Sequence, residues 1–139
     1  MRLPNPVSVK VKVILIIIFA SIVCGLVWSK ESERIKYTGT FTNLRYIPDT
    51  GDISGQELHI MYTTNGYQGV FQIAEGAPEP LMLVTIRYQR NQLYFEFGKD
   101  KNHGQFDGKI LRTGIKGTLK YDQGGNEEIY MKRAAGYWD

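Results

Sequence analysis

Cysteine is almost missing from this chain. The one present, Cys24, lies inside a hydrophobic run near the N-terminus, so the remainder can form no disulfide and no cysteine-ligated zinc site. Histidine is scarce too. His59 and His103 are far apart, and no His-x-His pair or clustered aspartate run accompanies them. A Gly-x-Ser-x-Gly elbow, a phosphate-binding loop, a dinucleotide fingerprint and a zinc-protease motif are all absent. No metal and no cofactor is expected, and these absences favour a protein that binds over one that catalyses. After residue 30 no stretch carries the apolar period of a helix. An excess of one charge is missing as well: residues 30–139 hold 14 Lys+Arg and 14 Asp+Glu, so the net charge of +3 comes from Arg2, Lys10 and Lys12. The basic balance is therefore no sign of nucleic-acid binding, which needs cations clustered on the folded part.

What the N-terminus does contain is an uncharged run of 16 residues, 13–28, behind a short basic flank. As a helix it would span about 24 Å, between a signal-peptide core and a full membrane span. Residues 1–29 therefore read as a signal peptide or a signal anchor, forming one hydrophobic helix in either case. Cleavage after Ser29, retention as a membrane anchor through residues 13–28, and lipidation at Cys24 all remain open, although Val23 makes a poor lipobox. The positive flank stays inside and sends the rest out. Residues 30–34 form a short charged linker, and an extracytoplasmic domain is expected over residues 35–139, periplasmic or at the cell surface.

From Ile35 the period becomes two. Tyr37, Gly39 and Phe41 share one face, with Thr38, Thr40 and Thr42 on the other. The unit apolar-x-Gly-x-apolar recurs at Tyr67-Gln68-Gly69-Val70-Phe71, Phe106-Asp107-Gly108-Lys109-Ile110 and Ile115-Lys116-Gly117-Thr118-Leu119. Turn clusters separate the runs: Pro48-Asp49-Thr50-Gly51-Asp52, Thr64-Asn65-Gly66, Arg90-Asn91-Gln92 and Asp122-Gln123-Gly124-Gly125-Asn126. The fold class expected is all-β: an eight-stranded antiparallel meander closing into a small barrel, which removes its sheet edges. Inward glycines permit the strong coiling this needs. Gly69 is expected to face inward with an aromatic packed over it.

Two sets of residues are candidates for function. Glu57 and His59 share a strand face, and a carboxylate beside an imidazole can act as a general acid–base couple in a cofactor-free barrel enzyme. The run Ile53-Ser54-Gly55-Gln56-Glu57 would turn both inward, whereas Leu58, Ile60 and Tyr62 would turn both outward. A β-bulge at Gly55 would reconcile the two registers, and the apolar residues carry more weight because burying a carboxylate is costly. A small apolar or aromatic ligand held at a barrel mouth would instead meet Tyr67, Phe71, Tyr88 and Phe95. The loops 75–80 and 99–103 are the natural contact points for an envelope protein. The terminal pair Tyr137 and Trp138 is expected to cap the core.

In strand count and glycine units, residues 35–139 resemble small calycin-type barrels, the lipocalin and avidin class. Phe41 stands where lipocalins carry tryptophan two residues after the glycine. The closing Met131-Lys132-Arg133 with Tyr137-Trp138 is similar to uncharacterised exported bacterial proteins of this size. The resemblance implies a barrel architecture and no particular activity. Three functions follow as expectations: an exported or membrane-anchored binding or interaction module, a small enzyme using Glu57 and His59, and a structural or inhibitory accessory protein of the envelope.

Overall fold

The computed structural model describes residues 34–99 and 103–136. The chain divides into two units, Met1–Arg34 and Ile35–Asp139. The expected N-terminal helix and the cap by Tyr137 and Trp138 lie outside the described residues.

The second unit is all-β, and its strands form one antiparallel sheet: β1 (Gly39–Thr42), β2 (Arg45–Ile47), β3 (Asp52–Thr63), β4 (Gly66–Pro78), β5 (Met82–Thr85), β6 (Arg87–Gln89), β7 (Gln92–Phe97), β8 (Gly104–Ile110), β9 (Gly114–Tyr121) and β10 (Asn126–Arg133). The order across the sheet is β5-β4-β3-β1-β10-β9-β8-β7-β6, with β2 beside β3. The first and last strands pair, Phe41 opposite Arg133. The two ends of the path, β5 and β6, are separated only by Ile86. The sheet thus curls back on itself into a nearly closed barrel, which is the architecture of the calycin-type barrels it resembles. The remaining opening lies between β5 and β7, a cleft of about 260 Å³ lined by Leu83, Val84, Thr85, Arg87, Tyr94 and Glu96.

Ten strands replace the eight expected. The apolar run 81–88 forms two strands that change partner at Ile86: β5 pairs with β4, β6 with β7, and the Ile86 amide donates to the Tyr67 carbonyl at 3.0 Å. The other addition, β2, continues the register of β1 against β3, with Thr42 opposite Glu57 and Arg45 opposite Ser54. It is separated from β1 at Asn43 and Leu44, where the Asn43 side chain accepts from the Gln56 amide and donates to Gln56 Oε1.

Alternation decides what lies inside. Leu93, Phe95 and Phe97 point inward from β7, and Met82, Val84, Ile86 and Tyr88 from the β5–β6 run. Phe41, Leu58, Phe71, Leu93, Phe95, Phe106, Ile110, Ile115, Leu119 and Met131 are fully buried. Rings dominate this interior: Phe71 meets Phe95 and Phe97 edge-on at 5.2 and 5.1 Å, and Phe95 stacks on Phe106 at 5.1 Å. Truncating one such ring costs roughly 3–5 kcal/mol. The barrel interior is filled by side chains, as eight ladder positions around a barrel permit.

Gly69 does face the interior, but aliphatic atoms lie over it: Leu58 Cδ1 and Val84 Cγ2 stand 3.1 and 3.2 Å from where a β-carbon would be. The aromatic-over-glycine contact occurs elsewhere, Phe97 over Gly104 and Phe106 over Gly108 and Gly117. In β3 the register of Leu58 and Ile60 prevails. Pairing with β4 runs unbroken through Gly55, so no bulge shifts it, and Gln56 takes the inward place instead of Glu57. The Asn65-Gly66 hairpin forms where expected. Of these two residues only Gly66 has positive φ, at 90°, with the Asn65 amide bonded to Thr63 Oγ1. The two turn residues are thus Thr64 and Asn65, closed by Thr63 opposite Gly66 with no extra residue in the ladder, where an Asn-Gly pair suggests a mirror-image turn with both of its residues left-handed.

The strand directions give the barrel two distinct ends. One carries Tyr37, the β3–β4 turn, the Arg90-Asn91 turn and the β8–β9 turn; this is the tyrosine end. The other carries the β4–β5, β7–β8 and β9–β10 loops and is the cleft end.

Candidate functional site

The tyrosine end is closed by its own side chains. Tyr37, Tyr67 and Tyr88 pack edge to face, Tyr88 standing 4.8 Å from Tyr37 and 4.9 Å from Tyr67. The Tyr88 hydroxyl donates to the Tyr37 carbonyl at 2.9 Å, and the Tyr37 hydroxyl to the Arg90 carbonyl at 3.3 Å. Burial, with the neighbouring Tyr67 hydroxyl second, pushes the Tyr88 phenol well above its ordinary range. Arg133 finishes this end: its guanidinium donates to the carbonyls of Thr38, Lys36 and Arg112 and lies 4.4 Å over the Phe41 ring. Of the four residues expected around a ligand, Tyr67 and Tyr88 are therefore parts of this plug. Phe71 and Phe95 belong to the ring stack beneath it.

Glu57 and His59 lie on the outer face of β3, between the inward Leu58 and Ile60. His59 Nδ1 is 2.8 Å from Thr40 Oγ1 on the neighbouring strand, and Glu57 stands opposite Gln72. The two side chains share a face as the spacing implied, on the barrel wall and away from either mouth.

The cleft end is concave. A cavity of about 430 Å³ opens there, lined by Ile73, Met82, Phe97 and Tyr121 at its floor, with Glu75, Glu79, Pro80, Lys99 and Gln123 around it. Local structure explains its shape. β4 runs on beyond the body of the barrel to Pro78, then folds over so that the Glu79 amide donates to the Ile73 carbonyl at 2.9 Å. Gln72 Nε2 donates to the Glu79 carbonyl at 2.7 Å, which fixes the flap. Two prolines that cannot donate, Pro78 and Pro80, end strand pairing there. Opposite, Phe97 and Tyr121 meet edge-on at 5.8 Å. The Tyr121 phenol is pushed up to about 12, first by burial and then by the carboxylates of Glu127, Glu75 and Glu79. Three acids thus act on one aromatic hydroxyl, and the floor beneath them is apolar.

A second, more polar cleft of about 320 Å³ adjoins it through Glu75, lined also by Asn43, Arg45, Gln56 and Glu127. Gln56, only 5% exposed, donates through Nε2 to Glu127 and holds that carboxylate in place. On the flank, His103 Nδ1 contacts Asp122 Oδ2 at 2.8 Å. Among the described residues no group of three or more His, Cys, Asp or Glu side chains is placed to hold a metal. The cleft offers an apolar, aromatic surface under a rim on which Glu75 and Glu79 outnumber Lys99, which suits recognition of a group that is both greasy and cationic.

Ile73, Met82, Phe97 and Tyr121 are not among the residues expected around a ligand, whereas loop 75–80 beside them is one of the expected contact points. The signal present was positional: Ile73, Met82, Phe97 and Tyr121 are apolar residues at strand ends, each next to a loop of the same barrel end. No family model, characterised protein or solved structure matches this chain.

Proposed function

We propose that this chain is a non-enzymatic binding module, held outside a membrane by its N-terminal hydrophobic segment, that recognises a cationic apolar group at the cleft end of the barrel. One observation carries the reading: the interior is filled, while the cleft end presents Ile73, Met82, Phe97 and Tyr121 beneath Glu75 and Glu79. A filled core argues against an engulfed ligand and for one seated at the surface, whether a small molecule or a side chain of an envelope protein. The packed interior also supports a second reading, a scaffolding or inhibitory accessory, in which the same cleft accepts a basic segment of its partner.

The test is a titration with benzyltrimethylammonium, followed by tyrosine fluorescence. Saturable binding that weakens by roughly tenfold in Glu75→Gln/Glu79→Gln, with none to benzoate, supports the reading. Equal binding of cation and carboxylate, or no binding of the cation, overturns it.

A further inference from the structure

Charge is segregated along the barrel in a way its composition hides. Arg90 lies in the turn after β6, Lys109 on β8, Lys116 on β9 and Lys132 on β10, all exposed and all in the tyrosine half, whereas Arg87 sits at mid-wall in the row of Asp107. Arg133 adds a further cation there, its hydrogen bonds going to neutral carbonyls. Among the described residues no carboxylate lies in that half. Glu57 and Asp107 are at mid-wall, and Asp49, Asp52, Glu75, Glu79, Glu96, Asp122, Glu127 and Glu128 lie toward the cleft end. Lys109 and Lys116 stand directly opposite one another across β8 and β9. Two like charges in cross-strand register, roughly 5.5 Å apart at the backbone, weaken the sheet. An external anion bound between them would relieve that repulsion. At the same end of the barrel, Tyr62 protrudes 71% exposed and Leu111, two residues from Lys109, 39% exposed. Tyrosine and leucine flanked by cations form the combination that settles into a lipid headgroup layer.

The chain also enters the barrel at this end. Six residues separate Trp28, the last of the hydrophobic run, from Ile35, and even fully extended they reach at most about 24 Å.

We propose that the tyrosine end of the barrel is a docking surface for a bilayer bearing anionic headgroups, whose phosphates pair with Arg90, Lys109, Lys116 and Lys132. This rests on the membrane-anchored reading above. It makes the hydrophobic segment and the basic end two cooperating signals, and it turns the acidic cleft end away from the membrane. Each cation near an anionic surface contributes roughly fivefold in affinity, and the attraction decays within about 8 Å at physiological salt.

The experiment reconstitutes the full chain into nanodiscs of phosphatidylcholine alone, or of phosphatidylcholine with phosphatidylglycerol, and measures acetylation of each lysine by mass spectrometry. In anionic discs at low salt, labelling of Lys109, Lys116 and Lys132 should fall by roughly fivefold and recover at high salt. Lys99 and Lys120, toward the cleft end, should label alike in both discs. Equal labelling of the three lysines in the two lipids overturns the docking surface. Failure of the chain to enter neutral discs overturns the anchored reading instead; the chain is then mixed with phosphatidylglycerol vesicles, and the same lysine pattern decides the docking surface by itself. Equal protection by duplex DNA at matched phosphate concentration overturns the assignment to lipid.

Discussion

Gly108 and Gly117 stand directly opposite one another across the β8–β9 ladder, and the ring of Phe106 lies over both. A β-carbon on Gly108 would fall 2.5 Å from Phe106 Cζ, and one on Gly117 2.6 Å from the same atom. The recurring glycine unit is thus a pair of seats for one aromatic ring, which lets β8 and β9 coil tightly around a filled interior.

Replacing Gly117 by Ala should therefore destabilise the barrel by about 2–3 kcal/mol, because ring and strand must both move. Shrinking the ring in the double variant Gly117→Ala/Phe106→Leu should return part of the loss but not all, since the Asp107 carbonyl also crowds that position. Urea unfolding of the singles and the double gives the coupling directly. Additive losses would show that the glycine does not seat the ring.

Arg133 makes a different kind of lock. It spans from the end of β10 to the carbonyls of Lys36 and Thr38, and it covers Phe41. Arg133→Ala should cost about 2–3 kcal/mol, the sum of charge-assisted hydrogen bonds and a cation–ring contact. Arg133→Lys should recover little of it, since an ammonium cannot fork to several carbonyls. Amide hydrogen exchange at Tyr37 and Thr38 should rise in both variants; unchanged protection there would remove the strap.

Alkaline pH should loosen the barrel from both ends. Tyr88 is raised by burial first and Tyr121 is pushed up to about 12, also by burial first. An acid whose folded-state value lies above its unfolded one keeps its proton longer in the native state. Its contribution is then complete below pH about 10, the unfolded value, and is lost as pH rises through that of the folded state. The urea midpoint should be flat from neutrality to pH about 10 and fall above it. In Tyr88→Phe/Tyr121→Phe the fall should be shallower. An equally steep fall would place the alkaline sensitivity elsewhere.

How much of this could be read from the sequence depended on the range of the interactions. Leu93, Phe95 and Phe97 announce their inward face because alternation is local. The Asn65-Gly66 turn and the outward Glu57 and His59 follow from neighbours a few residues away. The partner change at Ile86 was not legible, because it depends on β4 and β7 lying on either side of one strand. Nor was the cleft: Ile73, Met82, Phe97 and Tyr121 meet only once the barrel has closed. The charge segregation was hidden for the same reason, since Lys109 and Lys132 become neighbours in height only through the ladder register.

The central claim is that recognition occurs at the cleft end and not inside the barrel, and methionine methyl NMR separates the two. Met82 lines the cleft, and Met131 is fully buried in the core. On titration with benzyltrimethylammonium, the Met82 methyl should shift in a saturable manner while the Met131 methyl stays in place, and Glu75→Gln/Glu79→Gln should suppress the shift. A Met131 methyl that moves together with Met82 would put the ligand in the interior and contradict the account.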